Sequence, residues 1–506
     1  MGFILSALLY LFIAILVLYA YLEYSSYQKV AFYTRQGIHF QWKPIISSFF
    51  SKNSKNTYEI AKELTEVNKG QDVAITNIYG GIQVCPLTPK ALKEFFDKEQ
   101  DHTSRVMPIV DAETHLRKDG ELPIKARAIF KKLYTRKNLP LFKPMVIECL
   151  RKQIQITKQK VEAEGGSLKF SLHEDFMLPL FDKMATRLAF GDDEEHLDIP
   201  ELGHKSFYGG AKEYITLGNG AVFNILNLLS GGLYVRLGLS KTYKQHLVVR
   251  DNLQAYVDKV INIRCEGIEK GQYTPKRTNI VDFLILENAE LRKAGKQPHT
   301  KEEICLHILD VFAAGVDTIL GVFESLFGRL VFKENRKHFK DLKEFVKKDF
   351  PKDEYSIDSL LDHPYLHPTF EESSRIFPGL NRSFSKKVTK RFKLCGIQVK
   401  KGDDVAVRYL SLNHNKEHFP NPDIYDPSRF AGEKKVPRFT FMQFGQGVRS
   451  CVGRTFGDFM VKTFFVELLK EFDFDYDDEF KPKWFHFDLF SGMIDAKMII
   501  ETIANN

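Results

Sequence analysis

Hydrophobic and polar positions along this chain alternate mainly with the period of an amphipathic helix. Apolar residues recur at intervals of three and four over eight stretches and predict helices, whereas shorter runs rich in Val, Ile and Phe predict strands. The predicted helices cover 57–68, 88–98, 123–136, 140–162, 175–190, 244–268, 300–333 and 453–470, and the predicted strands cover 73–86, 394–399, 404–408 and 472–476. These patterns predict a mainly α fold with a small β-sheet.

The amino terminus has a different pattern. Phe3 to Leu22 is an uncharged run of 20 residues, which is long enough to span the hydrocarbon core of a bilayer. No basic segment precedes the run and no small-residue cleavage site follows it, so a retained anchor is favoured over a cleaved signal peptide. Lys29, Arg35 and Lys43 follow it, and the positive-inside rule then places the body of the protein in the cytosol.

These patterns divide the chain into three parts. We expect an N-terminal membrane anchor at 1–24, a juxtamembrane linker at 25–44 and one large domain at 45–506. No low-complexity break interrupts the last of these segments. We therefore expect a single-pass membrane protein.

One cysteine lies in a glycine-rich stretch suited to a metal-bound thiolate. The stretch contains Phe444, Gly445, Gly447, Arg449, Cys451 and Gly453. The glycines permit backbone conformations that turn amides toward the sulfur, and the helix predicted to follow directs the positive end of its dipole at it. A thiolate stabilised in this way can ligate haem iron, with Phe444 shielding the sulfur and Arg449 pairing with a haem propionate. The alternative is an ordinary buried thiol in a turn.

A second chemical pattern lies in the helix predicted at 300–333, which begins with a capping box at Thr300 and Glu303. It contains Ala314, Gly315, Asp317 and Thr318. Ala314 and Thr318 are four residues apart and share a helix face. Small residues there leave a groove on that face of the helix, and a hydroxyl beside a carboxyl can relay protons. In the alternative, Asp317 is solvated and the Thr318 hydroxyl bonds to its own helix.

A third pattern is the pair Glu372 and Arg375, three residues apart on a predicted helix face. Together the three patterns resemble the cytochrome P450 family of haem-thiolate monooxygenases, in its microsomal, membrane-anchored form. The resemblance implies a mainly α fold in which haem b lies between the helix of Thr318 and the loop of Cys451, with the Cys451 thiolate as axial ligand.

Further residues are assigned only through this resemblance. Arg429 is expected to join Glu372 and Arg375 in a buried cluster that holds the cysteine loop. Arg127 and Arg382 are expected to meet the haem propionates. Where the family commonly has a tryptophan and a basic residue ahead of Arg127, this chain has Pro123 and Ile124.

The activity that the resemblance implies is insertion of one oxygen atom from O2 into a lipophilic substrate at the endoplasmic reticulum membrane. Electrons are expected from an NADPH-dependent flavoprotein reductase or a cytochrome b-type donor. Two alternatives remain open: a haem-thiolate isomerase or dehydratase that does not use O2, and a non-enzymatic haem-binding sensor. Substrate identity also remains open among fatty acids, sterols, terpenoids and xenobiotics.

Composition narrows the function classes further. The chain has 506 residues, of which 43% are hydrophobic and 27% charged, as in an ordinary globular protein. A net charge of +8 is too small and scattered to predict a nucleic-acid partner. The six cysteines show no Cys-x-x-Cys spacing, which is typical of a protein in a reducing compartment.

Overall fold

The computed structural model describes residues 2–40, 70–78, 81–105, 119–191, 206–218, 234, 237–351, 355–432, 436–477, 483–486, 491–494 and 497–503. Most of these residues are helical. The helices are α1 (Gly2–Thr34), α2 (Pro89–His102), α3 (Glu121–Leu133), α4 (Leu139–Ala163), α5 (Leu178–Phe190), α6 (Phe207–Gly218), α7 (Lys241–Glu269), α8 (Ile280–Lys293), α9 (Lys301–Val331), α10 (Arg336–Asp349), α11 (Ile357–Leu361), α12 (Leu366–Ile376), α13 (Tyr409–Asn413) and α14 (Arg454–Glu471).

The strands are short. They are β1 (Val73–Ile78), β2 (Gly81–Pro86), β3 (Thr103–Ser104), β4 (Ser167–Ser171), β5 (Lys386–Val388), β6 (Phe392–Leu394), β7 (Ile397–Val399), β8 (Asp404–Val405), β9 (Phe472–Tyr476), β10 (Lys483–His486), β11 (Ser491–Ile494) and β12 (Lys497–Thr502). The predicted mainly α fold with a small β component is confirmed.

Seven of the eight predicted helices are confirmed to within a few residues, and the one at 57–68 lies outside the described residues. Two predicted strands are each a hairpin instead. The strand at 73–86 divides into β1 and β2, which pair antiparallel. The strand at 394–399 divides at Cys395 and Gly396, whose φ angles of 48° and 84° reverse the chain in a two-residue turn.

The helix α6 was missed by the periodicity. It contains Gly209 and Gly210 in its first turn, and glycine has a low helix propensity. Its helical state therefore depends on packing, since Phe207 and Tyr208 are buried and the Phe207 ring lies 5.5 Å from that of Phe312 on α9.

The described residues belong to two compact units. The first comprises Met1–Val106, Glu372–Ser450 and Phe485–Ser491. Its sheet has the order β1-β2-β8-β5-β3, in which β2 pairs parallel with β8 and β5 pairs antiparallel with both β8 and β3. The hairpin β6–β7 and the helix α2 complete the apolar core of this unit.

The helix α1 continues through the first half of the predicted linker. It ends at Thr34, and Val30, Tyr33 and Ile38 are buried in the core of the first unit. Tyr33 Oη donates a 2.5 Å hydrogen bond to Asp403 Oδ2, and Gln36 bonds to the backbone of Gln398 in β7. The segment that follows the predicted anchor is therefore docked on this unit.

The second unit comprises Met107–Glu371, Cys451–Trp484 and Gly492–Asn506. Its core forms where α14 packs against α9, with aromatic rings meeting edge to face. Phe464 lies 5.9 Å from Phe323, and Phe465 lies 5.4 Å from Phe327. Such pairs favour one packing arrangement as well as burying area. A three-stranded sheet with the order β4-β12-β9 borders this core.

Among the described residues, α9 is long and apolar enough to cross a membrane. About half of its most apolar stretch, 53%, is buried within the protein. A central core helix has the same length and composition, and the ring contacts of Phe323 and Phe327 show α9 in that position.

Candidate haem site

The cysteine loop takes its shape from two glycines. Gly445 and Gly447 have φ angles of 67° and 73°, in the left-handed region that favours glycine. A single 3₁₀ turn over Gly447–Arg449 then leads to Cys451. Gly453 differs from the expectation, because its φ of −88° is one that any residue adopts. Gly453 is instead the N-cap residue of α14, which begins at the next residue.

Two backbone hydrogen-bond donors of its own unit lie at the sulfur of Cys451. The backbone N–H groups of Gly453 and Arg454, at the amino-terminal end of α14, donate to it. The side chain is exposed on one side, yet enough protein surrounds the sulfur that burial raises the pKa of the Cys451 thiol. The two N–H groups and the charges of Arg127 and Arg454 oppose this rise. These groups therefore reduce the effect of burial on the thiolate without cancelling it, because the pKa of Cys451 stays above that of a free thiol.

Arg127 lies within electrostatic reach of the sulfur, because its charge lowers the pKa of Cys451. It is on α3, where the neighbouring Lys125 reaches Glu303 of α9 at 3.6 Å. Pro123, at the position where the family commonly has an aromatic residue, is buried. The guanidinium of Arg127 is therefore held near Cys451 on a helix packed into the second unit.

The remaining cofactor candidates lie in the first unit. Phe444 and Arg449 are both half-buried in the cysteine loop. Arg382 uses Nη1 to donate to the Ser383 carbonyl at 3.0 Å and to Ser385 Oγ at 3.2 Å, and it forms a β-bridge with Arg408. The expectation that Arg382 meets a propionate stays a prediction.

The helix α9 carries the predicted distal residues. Its capping box at Thr300 and Glu303 is confirmed. Thr318 Oγ1 donates a 2.6 Å hydrogen bond to the Ala314 carbonyl, so the two residues share a face as predicted. Gly315 has open space beside it, since a Cβ there would have no non-helix neighbour within 4 Å. The side chain of Asp317 lies outside the described part of the chain.

The Glu372–Arg375 pair is fully buried. Arg375 Nε and Nη2 donate to the two carboxylate oxygens of Glu372 at 2.7 and 2.8 Å. Arg429 Nε lies 3.5 Å from Glu372 Oε1, and the Asp426 backbone N–H donates to the same oxygen at 2.9 Å. The structure therefore brings together the three residues that the sequence predicted to be a buried cluster.

Two connections from this cluster to the cysteine loop were not foreseen. Arg375 Nη1 donates to the Asn413 carbonyl at 2.9 Å. The side chain of Asn413 then bonds in both directions with the backbone of Met442, at 3.1 and 3.2 Å. Gln443 Nε2 also donates to Ser374 Oγ at 2.5 Å. No sequence spacing signals these contacts, because the partners are 38, 29 and 69 residues apart.

Comparisons with known proteins agree with this arrangement. A family model described as cytochrome P450 matches residues 42–494. The chain belongs to the cytochrome P450 family. Curated relatives include cytochrome P450 76A1 of Solanum melongena, 28% identical over 44% of this chain and 48% of that protein, and cytochrome P450 3A27 of Oncorhynchus mykiss, 30% identical over 42% of each. A thromboxane-A synthase of Mus musculus is 26% identical over 45% of this chain and 43% of that protein.

The chain thus spans less than half the length of the curated relatives it matches. Among solved structures, the haem domain of cytochrome P450DA aligns with a TM-score of 0.68 at 15% identity, over 91% of this chain and 93% of that one. At this identity the likeness shows the cytochrome P450 fold.

Cytochromes P450 bind haem b through a cysteine thiolate. The residues of this chain fit such a ligand. Cys451 has backbone donors at its sulfur and one exposed side, Arg127 places a cation near it, and α9 has open space beside Gly315. Among the described residues, no cluster of three or more His, Cys, Asp or Glu side chains suits a metal ion.

Proposed function

We propose that this chain is a haem-thiolate monooxygenase that inserts one oxygen atom from O2 into a lipophilic organic substrate. Haem b would be held by the Cys451 thiolate, with electrons from an NADPH-dependent flavoprotein reductase or a cytochrome b-type donor. The observation that carries the proposal is the hydrogen bonding at Cys451, where two backbone N–H groups of the α14 terminus converge on one sulfur. Donors of this kind lower the basicity of a thiolate and so oppose the effect of burial on its pKa.

Each part of the chain has a separate task in this proposal. Arg127 and Arg449 would neutralise the propionates, with Arg382 as a third candidate cation. Phe444 and Gly445 would shape the side of the loop that faces the sulfur. When bound, haem supplies the oxidising chemistry with dioxygen, and the thiolate ligand increases the electron density on its iron.

The buried cluster of Glu372, Arg375 and Arg429 would keep the cysteine loop in place. Its contacts run through Asn413 to Met442, two residues before Phe444. A bidentate ion pair with further hydrogen bonds satisfies its buried charges, and removal of one member would strand the others. We infer that the cluster is structural.

Proton delivery is assigned to Thr318 and Asp317 on α9. A hydroxyl beside a carboxyl can pass protons from solvent toward a developing negative charge. Ala314 and Gly315 would leave room for dioxygen next to the hydroxyl. The hydroxyl of Thr318 already donates to the Ala314 carbonyl, and its oxygen lone pairs can accept from a second donor.

The first experiment is the absorption spectrum of the dithionite-reduced protein under carbon monoxide. A strongly red-shifted Soret band is expected, because a thiolate ligand raises the electron density on the iron. Cys451→His should abolish that band and product formation. The half-buried Cys265 supplies the matched control, since Cys265→Ser should leave both unchanged. A globin-like band in the wild-type protein would contradict thiolate ligation.

A haem-thiolate isomerase or dehydratase that does not use O2 is a second candidate. The observation that favours it is the hydrogen bond from Thr318 to the Ala314 carbonyl of its own helix. A threonine hydroxyl bonded in this way can have a structural role in the helix instead of delivering protons. Thr318→Ala separates the two candidates. In a monooxygenase it should divert electrons from product to peroxide or water, whereas an isomerase should turn over without any reductase. Thr186→Ala is the matched control, because Thr186 makes the same type of bond on α5.

We further propose that residues 1–24 anchor the chain in the endoplasmic reticulum membrane in a single pass, with the domain at 45–506 in the cytosol. Eleven large apolar side chains between Leu9 and Tyr27 are exposed on α1, as expected of a lipid-facing helix. Membrane fractionation of the full chain and of a chain that begins at residue 25 tests this. Equal membrane recovery of the two would contradict the anchor.

A further inference from the structure

The hairpin β6–β7 carries a dense group of cations that the proposed function does not use. The segment from Thr389 to Gly402 contains five basic residues and no acidic residue. All five basic side chains are exposed, and they are Lys390, Arg391, Lys393, Lys400 and Lys401. These five side chains are called the hairpin cations below.

The fold concentrates most of these charges at the open end of the hairpin. The outermost pair of the two strands is Phe392 with Val399, so Arg391 and Lys400 are the next residues on either side. Like charges that face each other across two strands are destabilising. This arrangement therefore costs stability unless an anionic partner offsets the repulsion.

The carboxylates near the hairpin are already engaged. Glu94 pairs with Lys98 and also accepts from the Cys395 N–H in the hairpin turn. Asp404 pairs with Lys387 at 2.9 Å. Within the part of the chain that the structure describes, no carboxylate lies within ion-pair distance of a hairpin cation.

The hairpin is fixed to the last turns of α1 within the first unit. Gln36 bonds to the N–H and the carbonyl of Gln398, at 2.7 and 3.4 Å. The Lys400 N–H donates to Tyr33 Oη at 3.3 Å, and the Lys400 ammonium lies 3.6 Å from the centre of the Phe32 ring. The position of α1 therefore determines the position of the hairpin cations.

The proposed anchor brings this surface close to a bilayer. The apolar run ends at Leu22, and Phe32 is ten residues further along α1, which is about 15 Å at the rise of an α-helix. The headgroup layer outside the hydrocarbon core is about 5–7 Å thick, and the field of its charges extends about 8 Å further at physiological salt. The hairpin cations thus begin within reach of that field, as do Lys29 and Arg35 on α1.

We propose that the hairpin cations bind the anionic phospholipid headgroups of the cytosolic leaflet and so hold the first unit against the membrane surface. This inference rests on the proposed membrane anchor, since the anchor brings α1 to the bilayer. Each Lys or Arg close to an anionic leaflet favours contact with it by about fivefold. Lipid is favoured over an acidic protein as the partner, because the anchor keeps the headgroups next to the hairpin at all times.

The test is amide hydrogen exchange of the full-length protein in lipid nanodiscs. Residues 389–402 should exchange severalfold more slowly in discs that contain phosphatidylserine than in discs of phosphatidylcholine alone. The difference should disappear in 1 M salt, where the field of the headgroups extends only about 3 Å. It should also disappear in a variant that combines Lys390→Gln, Arg391→Gln, Lys400→Gln and Lys401→Gln. Lys400→Arg with Lys401→Arg keeps the charge and should keep the difference.

Two exposed cations elsewhere in the same unit supply the control. Lys416 and Arg438 lie on neither the hairpin nor α1, so Lys416→Gln with Arg438→Gln should leave the lipid dependence unchanged. Equal exchange of residues 389–402 in the two kinds of disc would overturn the inference. Slower exchange only after an acidic redox protein is added would also overturn it, because the partner would then be a protein. Failure of the chain to enter discs of either composition would instead overturn the proposed anchor, and this inference with it.

Discussion

Gly447 combines two constraints at one residue. Its φ of 73° lies in the left-handed region, and Glu99 and Phe96 occupy the space that a Cβ would need. Gly432 has the same φ of 73°, but a Cβ there would meet no atom within 4 Å. A comparison of alanine substitutions at the two glycines therefore distinguishes the cost of backbone strain from the cost of steric crowding.

We expect Gly432→Ala to lower the free energy of unfolding by about 1–2 kcal/mol, the usual cost of a left-handed non-glycine residue. Gly447→Ala should cost more, because Glu99 and Phe96 must also move. It should reduce haem content as well, since the displaced atoms adjoin the cysteine loop. Urea unfolding and pyridine haemochrome assays of both variants measure the difference. Equal losses of stability in the two variants would show that Glu99 and Phe96 move aside without a further cost in free energy.

Glu371 is a residue whose ionisation opposes folding. Burial raises its pKa from 4.5 to about 7, although the charge of Arg454, 4.0 Å away, counteracts this rise. The folded chain thus retains a proton that the unfolded chain releases. The free energy of unfolding should therefore fall as pH rises from about 4.5 to about 7 through this group.

Glu371→Gln removes that dependence. The variant should match the wild type near pH 4.5 and should be more stable than it at pH 8, where the buried carboxylate has to ionise. Urea midpoints at the two pH values measure this, with the exposed Glu334→Gln as a control that should shift neither. A variant less stable than the wild type at pH 8 would mean that the Arg454 ion pair outweighs burial.

At the scale of elements, the short helices α12 and α13 connect the buried ion pair to the cysteine loop. The side chain of Asn413, at the end of α13, bonds to both the N–H and the carbonyl of Met442. These are the two backbone groups that a neighbouring strand would otherwise pair with. Asn413 is fully buried. The loop is therefore positioned by an amide and not by a regular sheet.

Asn413→Leu should remove both bonds and leave the Met442 backbone groups unpaired. A buried polar group without a partner costs about 1–3 kcal/mol, so we expect lower stability and a higher rate of haem loss to apomyoglobin. Asn415→Ala is the control, because the Asn415 side chain caps only the exposed N–H of Glu417. Unchanged haem loss in Asn413→Leu would show that the loop is held by other contacts.

At the scale of the whole molecule, α1 joins an exposed apolar surface to a buried one. Between Leu9 and Tyr27 it exposes large apolar side chains, and its last turns contribute Val30 and Tyr33 to the core of the first unit. The bond of Tyr33 to Asp403 is internal to that unit. We infer that a proposed anchor and a docked segment share one continuous helix.

Two truncations should therefore behave differently. A chain that begins at residue 25 should keep its stability and lose only its membrane association. A chain that begins at residue 39 also loses Val30, Tyr33 and Ile38, and burial of each such side chain contributes about 1.5–3 kcal/mol. Thermal unfolding of both proteins measures the difference, and equal melting temperatures would contradict a stabilising role for the docked turns.

The sequence by itself determined the features that depend on local chemistry. Helical periodicity placed α4, α9 and α14 to within a few residues, and the capping box at Thr300 and Glu303 marked where α9 begins. The glycine spacing predicted a tight loop before Cys451, and Gly445 and Gly447 have φ values of 67° and 73°, in the left-handed region that favours glycine. Local propensities and caps depend on residues that are close together in the chain, so they can be recognised from the sequence alone.

Only the tertiary structure decided which distant residues meet. Asn413 bonds to Met442, Glu99 contacts Lys386, and Tyr33 bonds to Asp403 across 370 positions. It also showed that Thr318 donates to its own helix and that α1 continues into the predicted linker. These contacts arise from how strands and helices pack, and the spacing of residues along the chain does not indicate that packing. The physical reason is that side-chain partners are selected by burial and geometry, which exist only once the chain has folded.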